Sequence, residues 1–231
     1  MEINVELEER ETDTKNKSIP DIIIYQIDDI NKHFNENLKL LQDQFPIADH
    51  LVANHNIDAA KTIWRTQIVL LASAYDYFMH EIIWFGLFQM FNQDWAKSDG
   101  YNELTITLAQ LDSIQDNPED SEWFKKYITD KYSSDTMMSF AALKKTLKLL
   151  NIPLKEIADK AFYQRGCTIK TETQLTNKLN AVYYRRNHIA HQSDRSHENA
   201  EQMDITKTEV ENFVQDIQKI VNAITEKLKT M

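Results

Sequence analysis

The stretch 58–95 reads DAAKTIWRTQIVLLASAYDYFMHEIIWFGLFQMFNQDW, and its reading decides the fold. Ile63, Val69, Leu70, Ala74, Tyr77, Phe78, Ile82, Phe85 and Phe88 place large side chains around much of a helical circumference. A helix apolar over so wide an arc belongs in the middle of a bundle. Ser98-Asp99-Gly100 breaks the pattern. The most apolar part, from Ile82 to Phe91, is interrupted by Gln89 and preceded by Glu81. It falls short of the roughly 20 residues that a bilayer requires, so no membrane partner is expected.

Other helices take their places around this one. Residues 1–18 are rich in Glu, Asp, Lys and Thr without apolar periodicity and read as a flexible acidic tail. From Pro20 the spacing of Ile27, Ile30, Phe34, Leu38, Leu41 and Phe45 predicts a helix that Pro46 ends. Shorter helices are expected over 103–114, 120–132, 137–150 and 154–162, with Pro118, Pro153 and Gly166 at their joints. Leu175, Leu179, Val182 and Ile189 mark one stripe of a helix over 171–191, and a last helix runs over 206–228. Three glycines and four prolines in 231 residues are too few for the turns of a sheet. The expected class is all-α: an antiparallel bundle of about five principal helices with a small helical insertion. It divides into the tail, a helical extension over 19–56 and a main domain over 57–231.

The net charge of −10 argues against a surface built for broad coating of nucleic acid. Locally the balance reverses. Lys178, Arg185, Arg186 and Arg195, with His188, His191 and His197 close by, face Asp194 as the one acid. Three of the six arginines lie between 185 and 195. The single cysteine, Cys167, forms no internal disulfide, and without an apolar leader a reducing cytoplasm is the expected compartment.

Five of those eight residues sit in Tyr183-Tyr184-Arg185-Arg186-Asn187-His188-Ile189-Ala190-His191-Gln192-Ser193-Asp194, at the end of the 171–191 helix. Continuing its stripe from Val182 by four residues reaches Arg186, which sets a guanidinium where the pattern asks for an apolar group. A buried charge needs a partner group, an anion or another chain. Asn187 and His191 are four apart and share a face, so the amide is expected to orient the imidazole. Arg186 and His191 are five apart, roughly 140° around an ideal helix, and converge most simply if two copies meet. Basic side chains at a helix end also have a plainer use, bonding the last carbonyls.

As a bare spacing, Arg-x4-His is a weak signal. Its flanks carry more. Arg186-Asn187-x-Ile189-Ala190-His191 at a helix end, followed by a polar loop and a long final helix, resembles the HEPN superfamily. The segments Leu71-Ala72-Ser73-Ala74-Tyr75-Asp76-Tyr77-Phe78 and Ser139-Phe140-Ala141-Ala142-Leu143 are similar to its RiboL-PSP-type branch. The resemblance spans about 57–230.

What it implies is a helical bundle that forms a homodimer, with the two motifs meeting at the interface. Many relatives are metal-independent endoribonucleases that act as toxins or antiviral defence effectors, so neither cofactor nor metal is expected. Arg186, Asn187 and His191 take the family's catalytic positions. Arg185, His188, Ser193 and Asp194 are neighbours without a fixed family role; by residue type, Arg185, His188, Tyr184, Ser193 and Arg195 are candidate RNA contacts, and Asp76 is a candidate support for Arg186. In the branch paired with nucleotidyltransferase antitoxins, a modified tyrosine follows two residues after the histidine. Ser193 stands there in this chain, so that route of control is not implied, although an antitoxin or regulatory protein remains an expected partner.

The chemistry of the side chains agrees. Metal-free RNA cleavage needs a base for the 2′-hydroxyl proton, an acid for the departing 5′-oxygen and positive charge on the phosphorane. Histidine, titrating near about pH 6.5, serves either proton role, and arginine offers a permanent forked donor array. The alternative is a non-catalytic module that uses the same residues to bind a nucleotide or to dimerise. Asp76 and His80 suggest half of a metal site, but two ligands are insufficient and a hydrogen-bonded pair is the simpler reading.

Overall fold

The computed structural model describes residues 22–116 and 120–231, so the acidic tail over 1–18 lies outside the described residues. Among the described residues ten helices follow one another: α1 (Ile27–Gln42), α2 (Phe45–Ala53), α3 (Ile57–Phe91), α4 (Asp99–Asn102), α5 (Leu108–Asp116), α6 (Glu122–Tyr132), α7 (Phe140–Leu149), α8 (Leu154–Phe162), α9 (Thr171–Gln192) and α10 (Lys207–Leu228). Among the described residues the only β-type pairing is a bridge between Arg195 and Gln202. The class is all-α, as the sequence predicts.

The long helix takes the centre. α3 packs against α1, α2, α6, α7, α9 and α10, and buries Ile68, Leu71, Tyr75, Phe78, Met79, Ile82 and Leu87 completely. It is long and apolar enough to cross a membrane by composition, but 67% of its most apolar window is buried inside the bundle. Burial of each such side chain is worth about 1.5–3 kcal/mol, which holds the bundle around it. Two residues from the expected apolar set turn outward instead. Leu70 and Tyr77 are about two-fifths exposed, beside Asn37 and Leu40 of α1.

The N-terminal boundary differs from the expectation in an instructive way. Pro46 does not end a long helix from Pro20. Residues 22–26 carry no regular structure, α1 stops at Gln42, and Pro46 opens α2 from its first turn. Proline is suited there because first-turn N–H groups have no partner within the helix. Ile30, Phe34, Leu38 and Leu41 of α1 join the main core, and the buried Gln67 amide donates to the Leu41 carbonyl at 2.9 Å.

A second, smaller cluster lies toward the start of α3. Ala48 of α2, Ala60, Trp64 and Ile68 of α3, Ile205 and Val210 form it, and Ile189 of α9 packs against it. It joins α2 to the C-terminal end of α9, the end that carries the Arg-x4-His residues. Farther along α3, Asp76 accepts from Met137 N–H at 2.6 Å, and His80 Nε2 lies 3.0 Å from the Asp135 carbonyl. These pin the link between α6 and α7 onto α3.

Candidate active site at the end of α9

α9 ends without a glycine. Ser193 takes a left-handed backbone at φ 52°, followed by Asp194 at φ 57°. The N–H groups of both donate to the His188 carbonyl, that of Asp194 at 2.9 Å. This is a Schellman-type closure with serine where glycine is usual. Two successive left-handed non-glycine residues need strong support from their surroundings.

The support is a buried ion triad. Asp194 is completely buried, and its Oδ2 accepts from Arg65 Nε at 2.7 Å. Its Oδ1 lies 2.7 Å from Arg185 Nη1, and Arg185 Nε lies 3.4 Å from Glu209 of α10. Spare donors reach the following loop: Arg65 Nη2 to the Met203 carbonyl and Arg185 Nη2 to the Asp204 carbonyl, both at 2.7 Å. Met203 N–H donates back to the Asp194 carbonyl at 2.7 Å. Lys61 pairs with Asp204 at 2.7 Å, and this bond, with the Ile205 N–H, holds that carboxyl below its usual range. Thr206 caps α10 by accepting from Glu209 N–H, which brings the Glu209 carboxylate toward Arg185.

Arg185 is therefore a structural cation rather than a substrate contact. It is 7% exposed, with Nη1 against Asp194 and Nη2 donating to the Asp204 carbonyl, while Nε makes no hydrogen bond among the described residues and lies in ion-pair range of Glu209. The expectation that Arg186 fills the buried position on the stripe is corrected accordingly. Ideal geometry puts Arg186 nearer the stripe axis, but Arg185 is the one that meets two carboxylates. Burial follows the available counter-charge.

Arg186 is half-buried, with Nη1 donating to the Asn187 side-chain oxygen at 3.0 Å. Its Nε is shut from solvent and has no partner among the described residues. Asn187 thus steadies Arg186, whereas the sequence suggested that it orients His191. The His191 ring is exposed and has no hydrogen bond among the described residues. Its neighbour one turn back, His188, is half-buried, and its Nδ1 is enclosed without a partner.

Tyr184, His188 and His191 are spaced by four and three and form one face of α9. Tyr184 is 59% exposed, while Tyr183 packs against the core. Ser193 is exposed but serves as the helix terminus. Arg195 is also exposed, with Nη1 held by the Ala200 carbonyl at 2.6 Å. Asp76 does not reach Arg186. Its carboxylate receives Met137 N–H and lies 3.5 Å from His80, so the paired reading holds there. Among the described residues no group of three His, Cys, Asp or Glu is placed to hold a metal ion.

A family model described as RiboL-PSP-HEPN matches residues 25–230. The chain belongs to the RiboL-PSP-HEPN family. No curated protein and no solved structure matches it. The HEPN match begins within residues 22–26, just before α1, so α1 and α2 lie inside the family domain.

Sequence reasoning missed Arg65, Asp194 and Glu209. The signal for Arg65 was present, since a guanidinium beside Trp64 and Ile68 in an apolar helix calls for a counter-charge. Asp194, as the sole acid among residues 178–195, was the available partner.

Proposed function

We propose that this HEPN protein is a metal-independent endoribonuclease whose site is completed by a second copy of the chain. The observation that carries the reading is the outward face of α9. A half-buried Arg186, steadied by Asn187, lies one and a half turns from a solvent-open His191 that makes no hydrogen bond among the described residues. The roughly 140° between them around the helix suits two protomers facing across a two-fold axis, each supplying one histidine.

In this reading, one His191 takes the proton of the 2′-hydroxyl as that oxygen attacks phosphorus. Arg186 balances the charge that gathers on the phosphorane. The second His191 protonates the 5′-oxygen as the P–O bond breaks. The products are a 2′,3′-cyclic phosphate and a 5′-hydroxyl. Tyr184 offers a ring for a base to stack on, two turns from His191 along the same face. Arg195 adds positive charge beside it. The context proposed is a cytoplasmic toxin or antiviral effector restrained by an antitoxin or regulatory protein.

Induced expression of the wild type beside Arg186→Ala and His191→Ala tests this, scoring growth and the integrity of total RNA. Growth arrest with fragmented RNA in the wild type alone supports the reading. Identical behaviour of all three overturns it.

A further inference from the structure

We propose that the cleft between α4, α6 and α7 binds a small zwitterion with an aromatic body, of the class of an aromatic α-amino acid. The inference does not rest on the endoribonuclease reading. Ile83, which lines the cleft, lies 18 residues beyond Arg65 on α3, about 27 Å along the axis, so this is not the site at the end of α9.

The cleft has fixed walls. An inner recess of about 240 Å³ and an outer part of about 520 Å³ share Tyr132, Asp135, Lys145 and Leu149. The link between α6 and α7 forms one wall, pinned to α3 where Met137 N–H donates to Asp76 and His80 Nε2 meets the Asp135 carbonyl. On the other side the buried Ser98 hydroxyl donates to the Leu149 carbonyl at 2.6 Å and accepts from Tyr101 N–H at 3.0 Å, which ties α4 to the end of α7. Gly100 allows that approach, since a Cβ there would stand 3.1 Å from Leu149 Cδ1. Walls held in this way give a cavity that exists before any ligand arrives.

Two hydroxyl groups in the recess lack partners. Tyr132 is 6% exposed and Thr146 3%, both line the recess, and neither side chain has a hydrogen bond among the described residues. Groups so buried are otherwise paired. Burial pushes the Tyr132 phenol up to about 12, with Tyr127 and Asp135 adding to the effect, so at neutral pH it keeps a proton to donate. Ile83, Met137, Ala142 and Leu149 supply the apolar remainder. A flat ring with a polar atom at its edge meets both demands.

The charges define what the ring carries. Lys131, Lys145 and Lys148 line the outer part together with Asp99, Glu103 and Asp135, yet none of the six is in an ion pair among the described residues. Lys131 Nζ instead lies 5.6 Å from the Tyr127 ring centroid. A nucleotide, with its multiple negative charge, would meet three carboxylates as well as three ammonium groups. A ligand with one ammonium and one carboxylate complements both sets.

The test is calorimetric titration of the full chain with L-tryptophan, whose ring N–H can reach a hydroxyl. Saturable binding in the millimolar range or tighter is expected, weakened at least about fivefold by Tyr132→Phe and by Lys145→Met. Both substitutions keep the bulk of the side chain, and thermal melts check folding. Ala142→Phe, which fills the recess, should abolish binding. Tryptamine lacks the carboxylate and indole-3-propionate lacks the ammonium, and each should bind at least about tenfold more weakly than L-tryptophan. Equal binding of either analogue, or tighter binding of AMP, overturns the zwitterion assignment. No saturable heat with L-tryptophan up to about 10 mM, or a dissociation constant unchanged in the folded Tyr132→Phe and Lys145→Met variants, overturns the site.

Discussion

The last two turns of α9 have an inner and an outer face, and adjacent arginines divide between them. Arg185 points inward, nearly sealed from solvent, and meets Asp194 and Glu209. Arg186 is half-buried and, among the described residues, its guanidinium bonds only Asn187, with Nε shut from solvent. Next to one another in sequence, the two residues have opposite relations to the fold. The inner one is bound into the fold, and the outer one lies at its surface. A basic cluster read from sequence alone is a sum of two populations, and burial with a counter-charge separates them.

The sharpest way to break this comparison is to strip the outer face. His191→Ala and Arg186→Ala are each expected to reduce RNA cleavage by about 10²-fold or more, measured on a labelled single-stranded substrate. Their melting temperatures should stay close to that of the wild type, because neither side chain is fully buried. Loss of folding in either variant would erase the distinction between the faces.

Stripping the inner face should do the reverse. Asp194→Ala leaves two buried guanidinium groups without their shared carboxylate and should destabilise the fold by about 3–5 kcal/mol in denaturant titration. Arg195→Ala, an exposed control one residue away, should move stability by no more than about 0.5 kcal/mol. Equal effects from the two would show that the triad carries no special weight.

A buried acid without a guanidinium sharpens the contrast from the other direction. Glu81 of α3 is 3% exposed, and burial pushes its carboxyl up to about 7, against smaller opposing effects from the Tyr77 hydroxyl and His80. The folded chain therefore keeps a proton that the unfolded chain releases near pH 4.5, so stability falls as pH rises from there through about 7. Glu81→Gln should stabilise the protein at pH 8 by on the order of 2 kcal/mol, and that gain should vanish below about pH 4.5. A gain independent of pH would contradict the assignment. A small gain is expected at the C-terminus of α9. Ser193→Gly relieves a left-handed serine and should add about 0.5–1 kcal/mol of stability in thermal or chemical unfolding.

The fold was largely legible because periodicity reports on burial. Phe34, Leu38, Phe78, Ile82, Leu179 and Ile217 recur at helical spacing, and all are buried. α2 was not legible, since a proline that ends one helix and a proline that opens the next look alike in a single sequence. The site was legible in part. Arg186, Asn187 and His191 were singled out by residue type and spacing, and the match to the HEPN family places them within the matched region. What they contact was not. The Asn187 bond runs to Arg186, and Asp76 pairs with Met137 and His80 at the far part of α3, because such choices depend on which elements pack together. The Arg65–Asp194 pair, 129 residues apart in sequence, could not be derived from local pattern at all.

The central claim is that the outer face of α9 cleaves RNA by proton transfer and charge stabilisation without a metal. The most direct measurement is analysis of the cleaved ends after incubating purified protein with RNA in EDTA. The account predicts 2′,3′-cyclic phosphate and 5′-hydroxyl ends from the wild type, and no cleavage by His191→Ala. Cleavage that appears only when Mg²⁺ is supplied, or that persists in His191→Ala, would contradict it.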